Sequence, residues 1–144
     1  NSIHMKFEVK HECKNVDWEK VSEILKSVGM AYYGPEKHRA AFEASHCTVF
    51  LYDKDMLVGF GRAISDGAYQ AAVYDCAVAK EYQGRGFGKL IIQEILSKTP
   101  GCNIILYASP GKEGFYEKQG FKKMKTGMAR FINHDRMAQR GFTE

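Results

Sequence analysis

The sequence predicts an α/β (α+β) fold built on a mixed sheet. Segments of helical and strand periodicity alternate along the chain, and one strand runs into a glycine-rich loop at residues 83–88 that opens a helix. A chain of 144 residues with 44% hydrophobic content can also bury the core of one ordinary domain. That domain is read over residues 5–144, and Asn1-Ser2-Ile3-His4 is set aside as a tag remnant.

Asp17 is a suitable N-cap, and Trp18, Val21, Leu25 and Val28 recur at helical spacing before Gly29 stops the helix. The aromatic stretch Met30-Ala31-Tyr32-Tyr33 leads to Gly34-Pro35, and a weaker helix over residues 36–44 starts with proline at its first position. Residues 48–52 are β-branched and aromatic. The turn Asp53-Lys54-Asp55 joins them to residues 56–64 as a hairpin, and Ser65-Asp66-Gly67 leads into a strand at 71–78. Phe87, Leu90, Ile91 and Ile95 mark the buried face of the helix after the glycine loop, which ends near Thr99-Pro100. A short buried strand is read at 103–108, a helix at 112–118 closed by Gly120, a final strand at 128–132, and a polar tail at 133–144 whose order the sequence leaves open.

Twenty-one basic and seventeen acidic residues give a net charge of +4, spread over the chain. Such a small excess suits an anionic ligand better than nucleic acid. Cys13, Cys47, Cys76 and Cys102 form no CxxC pair, so no metal site or disulfide framework is expected, and reduced thiols point to a cytoplasmic protein. No apolar run approaches the roughly 18 residues of a membrane span, and no signal peptide precedes Met5.

The glycine-rich loop carries the chemistry. The first-turn N–H groups of a helix lack intrahelical partners, the helix dipole favours negative charge there, and glycines let the backbone approach a phosphate closely. Arg85 and Lys89 add positive charge. Such a turn can also serve only to pack a helix on a sheet. The spacing GxGxG is neither the GxGxxG of a dinucleotide fold nor the GxxxxGK[ST] of a nucleotide triphosphatase.

Gln83-Gly84-Arg85-Gly86-Phe87-Gly88, preceded by Asp75-Cys76-Ala77-Val78 and followed by Gly114-Phe115-Tyr116-Glu117-Lys118-Gln119-Gly120-Phe121, resembles the GNAT acyltransferase superfamily. The resemblance implies the acyl-CoA N-acyltransferase fold, a mostly antiparallel, twisted mixed sheet flanked by about four helices. It implies acetyl-CoA as co-substrate, with the pyrophosphate on backbone amides of Gln83, Gly84, Arg85, Gly86, Phe87, Gly88 and Lys89. The pantetheine arm and thioester would pair with the strand at Cys76, Ala77 and Val78. Cys76 itself is a small buried side chain and not the nucleophile. Tyr116 would protonate the departing thiolate. A phenol of pKa about 10 facing a thiol of about 8.5 makes that transfer uphill by only about 2 kcal/mol.

A primary amine with pKa about 10.4 is mostly protonated at pH 7, at a cost of about 4.6 kcal/mol for the neutral form. A proton acceptor is therefore needed. Asp75 is the candidate base, with pairing to a neighbouring Lys or Arg as its equal alternative, and Asp66 is first a turn-former. Histone acetyltransferases of the superfamily carry a glutamate four residues before the position of Cys76, where this chain has Ala72. A closer resemblance runs through Arg62-Ala63-Ile64-Ser65-Asp66, Ala71, Asp75, Val78, Glu81-Tyr82-Gln83-Gly84, Phe115-Tyr116 and Gly127-Met128. These residues are similar to plant- and cyanobacterial-type serotonin N-acetyltransferases and small bacterial GNAT proteins. That implies direct transfer in a ternary complex to a small amine, an arylalkylamine among the options, walled by Tyr32, Tyr33 and Tyr74 with Asp66 nearby. Acetylation of a protein or peptide amine and a non-catalytic acyl-CoA sensor stay open as alternatives, as does a homodimer. No nucleic-acid, membrane or metal partner is expected.

Overall fold

The computed structural model describes residues 7–144, so the tag-like tetrapeptide lies outside the described residues. Five strands form one sheet in the order β1-β2-β3-β4-β5. β1 (Phe7–Lys10), β2 (Cys47–Asp53), β3 (Met56–Ser65) and β4 (Gln70–Val78) pair antiparallel in turn, and β5 (Asn103–Ile105) joins β4 in parallel. The parallel pair is joined through α3 (Phe87–Ser97), as a parallel connection requires. β1 carries no turn signal or strong β pattern, and it is an element the sequence reading does not contain.

α1 (Trp18–Ser27) starts as its cap predicts, with the Asp17 carboxylate accepting from Lys20 N–H at 3.1 Å, and it buries Val21, Ile24 and Leu25. α2 (Pro35–Glu43) has proline at its start and buries only His38 and Phe42. Phe42 stacks with Trp18, Phe50 and Phe60 at centroid distances of 5.6 to 5.9 Å, which seats both helices on one face of the sheet. α3 buries Ile91, Ile92 and Ile95, while Phe87 and Leu90 are half-buried. It lies almost flush on the sheet because β3 presents glycines beneath it. A Cβ at Gly61 would stand 2.8 Å from both Cys76 Sγ and Ile91 Cγ2, and one at Gly59 would stand 3.3 Å from Ile91 Cδ1.

Two compact units divide the chain, one ending at Leu106 and the other running from Tyr107 to Glu144. The second contains α4 (Glu113–Lys118), α5 (His134–Gln139) and a ring cluster of Tyr107 with Phe131 and Phe142. One expectation fails here. Residues 128–132 form no strand: Met128 and Ile132 are fully exposed, and β-type side chains without a pairing partner do not make one. The tail, whose order the sequence leaves open, contains α5, and Asn133 caps it by accepting from Arg136 N–H at 3.1 Å. β5 is also shorter than expected, ending at Ile105.

Candidate active site

A 3₁₀ turn at Lys80–Tyr82 leads from β4 into the glycine loop, and Gly86 is the N-cap of α3. Gly84 and Gly86 adopt left-handed φ of +79° and +87°, which place the turn at little steric cost. No side chain caps α3, and Leu90 N–H donates to the Gly86 carbonyl at 3.0 Å. A Cβ at either glycine would meet nothing within 4 Å. Bare backbone therefore faces open space at a positively polarised helix end, which fits a phosphate. Gln83, Gly84, Arg85, Gly86 and Lys89 are exposed, and Phe87 and Gly88 are half-buried.

Side chains brace this loop from behind. Tyr82 donates to Asp53 Oδ2 at 2.5 Å, tying the 3₁₀ turn to the end of β2. Gln83 Nε2 donates to the Val78 carbonyl at 2.9 Å, tying the loop to the end of β4. Arg85 lies over the Tyr82 ring, 5.1 Å from its centroid.

The second feature is a bulge in β4. Phe60 pairs with Ala77 and Arg62 with Tyr74, so the two residues of β3 advance against three of β4. Asp75 takes up the slack with φ +55°, a left-handed conformation that costs a non-glycine residue about 1 to 3 kcal/mol. Arg62 supports it: Nε donates to Asp75 Oδ2 at 2.7 Å, the guanidinium lies 5.4 Å from the Tyr74 ring centroid and 5.6 Å from that of Phe42, and Nη1 donates to Ser45 Oγ at 3.3 Å. The consecutive residues Tyr74 and Asp75 thus both serve the face covered by α2. The next residue, Cys76, points to the other face, against Gly61 and α3. Burial pushes the Cys76 thiol up to about 12, so it stays neutral and unreactive.

The other sequence-predicted residues are placed as follows. Tyr32 and Tyr33 are half-exposed in the loop between α1 and α2, with Lys26 Nζ 5.5 Å over the Tyr32 ring and Lys37 Nζ 4.3 Å over that of Tyr33. Asp66 Oδ1 accepts from the N–H groups of Ala68, Tyr69 and Gln70 at 2.7 to 3.1 Å, and these bonds, Ala68 foremost, hold its carboxyl below the usual range. It builds the β3–β4 turn, about 13 Å of strand away from Asp75. Ala77 is buried in the core cluster. Tyr116 lies on α4 in the second unit, edge-on to Phe115 and Phe121 at 5.0 and 5.9 Å. Arg62 and His38 emerge as site residues that sequence reasoning did not select. Their partners lie across strands or across a loop, and no local spacing announces them.

A family model described as "Acetyltransferase (GNAT) domain" matches residues 15–138. Among similar proteins, an uncharacterized N-acetyltransferase ycf52 of Pyropia yezoensis is 30% identical over 122 residues, 80% of this chain and 70% of that protein. Serotonin N-acetyltransferase 2, chloroplastic, of Oryza sativa subsp. japonica is 32% identical over 123 residues, 80% of this chain and 61% of that protein. A crystal structure of a probable acetyltransferase of unknown function from meticillin-resistant Staphylococcus aureus is 29% identical, with a TM-score of 0.76 over 87% of this chain and 98% of that one. The match over nearly the whole chain agrees with the bare helix N-terminus after a bulged strand, and the chain belongs to the GNAT acetyltransferases, an acyltransferase family whose co-substrate is acetyl-CoA.

Proposed function

We propose that this acetyltransferase acetylates the primary amino group of a small amine, an arylalkylamine by preference. The observation that carries the coenzyme half of the reading is the uncapped N-terminus of α3, where Gly84 and Gly86 leave the backbone bare. Amides of residues 83–89 hold the pyrophosphate, and backbone groups of Cys76 and Val78 align the pantetheine and thioester. Acetyl-CoA supplies the activated acyl group. The amine nitrogen attacks the thioester carbon directly, the carbon–sulfur bond breaks, and Tyr116 gives its proton to the leaving sulfur. Positioning of this kind lowers a barrier by roughly 7 to 11 kcal/mol, so no covalent enzyme intermediate is needed.

Support for the acceptor comes from the half-exposed Tyr32 and Tyr33 and from the 32% identity to a plant serotonin N-acetyltransferase. Asp75, held by Arg62 through Oδ2, fixes the bulge beside the reacting strand, and its Oδ1 takes the proton that the attacking nitrogen sheds. The test is mass spectrometry of reactions with acetyl-CoA and a panel of arylalkylamines, polyamines and lysine peptides. Acetylated tryptamine is the expected product. Acetylation confined to the lysine peptides would overturn the small-amine reading.

A further inference from the structure

His38 occupies a position that packing alone would give to an apolar residue. It is one of the two buried residues of α2, four places before Phe42 on the same face, and only 3% of its surface is exposed. Leucine or phenylalanine would fill such a place, so an imidazole there calls for polar work. Its Nε2 accepts the Tyr33 backbone N–H at 2.9 Å. An imidazole nitrogen that accepts from an amide carries a lone pair, which makes the ring neutral with its proton on Nδ1.

Tyr33 is held from the other side as well. Ser22 Oγ on α1 donates to the Tyr33 carbonyl at 2.6 Å. The Tyr33 ring packs against the His38 ring, with centroids 5.6 Å apart. One turn further along α2, Phe42 carries the guanidinium of Arg62, the partner of Asp75. The buried face of a single helix thus connects the aromatic loop to the β4 bulge.

We infer that His38 is a positioning residue for the acceptor amine, its Nε2 fixing the Tyr33 peptide and so the aromatic wall of the acceptor site, and that protonation of this nitrogen releases the wall. The inference rests on the assignment of Tyr32 and Tyr33 to the acceptor side. A protonated Nε2 is a donor and faces the Tyr33 N–H as donor against donor. Burial above all disfavours the charged ring. Asp75 from β4 favours it, while Arg62 from β3 and Lys37 from α2 oppose it, and the balance lies below the ordinary histidine value. The unfolded chain then binds the proton more readily than the folded one. The stability given by neutral His38 is therefore complete above about pH 6.5 and is lost as pH falls below that value.

The experiment compares wild type with His38→Leu, which fills the space without an acceptor, and with His38→Gln, whose amide oxygen restores one. Hydrogen exchange at the Tyr33 amide and steady-state kinetics with tryptamine and acetyl-CoA are the readouts. His38→Leu should speed Tyr33 exchange and raise the KM for tryptamine about tenfold, the scale of one lost buried acceptor, with the KM for acetyl-CoA unchanged. His38→Gln should restore both values and should remove the part of the acid fall of kcat/KM for tryptamine that wild type shows beyond the amine's own protonation. Equal Tyr33 exchange in wild type and His38→Leu would overturn the clamp. Faster exchange with an unmoved tryptamine KM would overturn its role in acceptor binding. If tryptamine and every other small amine are not acetylated, the small-amine assignment fails, while the exchange data still decide the clamp.

Discussion

Replacing Gly86 by alanine separates the coenzyme site from the fold. At φ +87° a Cβ is strained by about 1 to 2 kcal/mol, and nothing in the protein stands within 4 Å of it. The strain acts on folding and should lower Tm by about 3 to 8 °C for a chain of this size. It does not distinguish free from bound protein. Any loss of affinity therefore reports the methyl group standing where phosphate must approach the amides. One charge-assisted amide contact contributes about 1.5 to 3 kcal/mol, which predicts a 10- to 150-fold weaker Kd for coenzyme A. Gly101→Ala is the control: Gly101 has φ +74° and open space around it, but it follows the far end of α3, about 16 Å along the helix. Calorimetry with coenzyme A and thermal melts of both variants give the answer. Gly86→Ala with a Kd within twofold of wild type would refute the assignment of pyrophosphate to this loop.

Three further outcomes follow from the same geometry. Gly61→Ala sets a methyl 2.8 Å from Cys76 Sγ and Ile91 Cγ2 and should destabilise by about 1 to 3 kcal/mol in urea, with Cys76→Ala recovering part of it; additive effects in the double variant would exclude the contact as the cause. With its thiol near 12, Cys76 is thiolate in about one molecule in ten thousand at pH 8, so iodoacetamide should spare it in the folded protein and Cys76→Ala should keep its turnover. Inactivity of a folded Cys76→Ala would reopen a covalent mechanism. Tyr116→Phe should lower kcat about 100-fold with coenzyme A affinity unchanged, and an unaltered kcat would return Tyr116 to its packing role between Phe115 and Phe121.

Elements with a local cause were legible in the sequence. The Asp17 cap, Pro35 at the start of α2, the β2–β3 hairpin and the glycine loop each depend on residues adjacent in the chain, and each stands where expected. The failures share a different cause. The side chains at 128–132 look β-like, but a strand exists only where another strand pairs with it. β1 has the reverse history: its four residues are unremarkable and form a strand because β2 offers them a register from Phe7 to Lys10. In the candidate site, the loop was visible because its glycines, at 84, 86 and 88, fall within five residues of sequence. The pairing of Arg62 with Asp75 spans thirteen residues and depends on a bulge, which no alternation pattern encodes.

That bulge makes β4 a strand with two phases. Up to Tyr74, even-numbered residues serve the α2 face; beyond Asp75, Ala77 and Ala79 join that face's core cluster and Cys76 turns to α3. Asp75 thus works as a spacer, and its carboxylate, held by Arg62, keeps that spacer in its left-handed conformation. Deleting Asp75 would set two residues of β4 against two of β3, removing the bulge and the Arg62 pair while Cys76 still faces α3 and Ala77 the core.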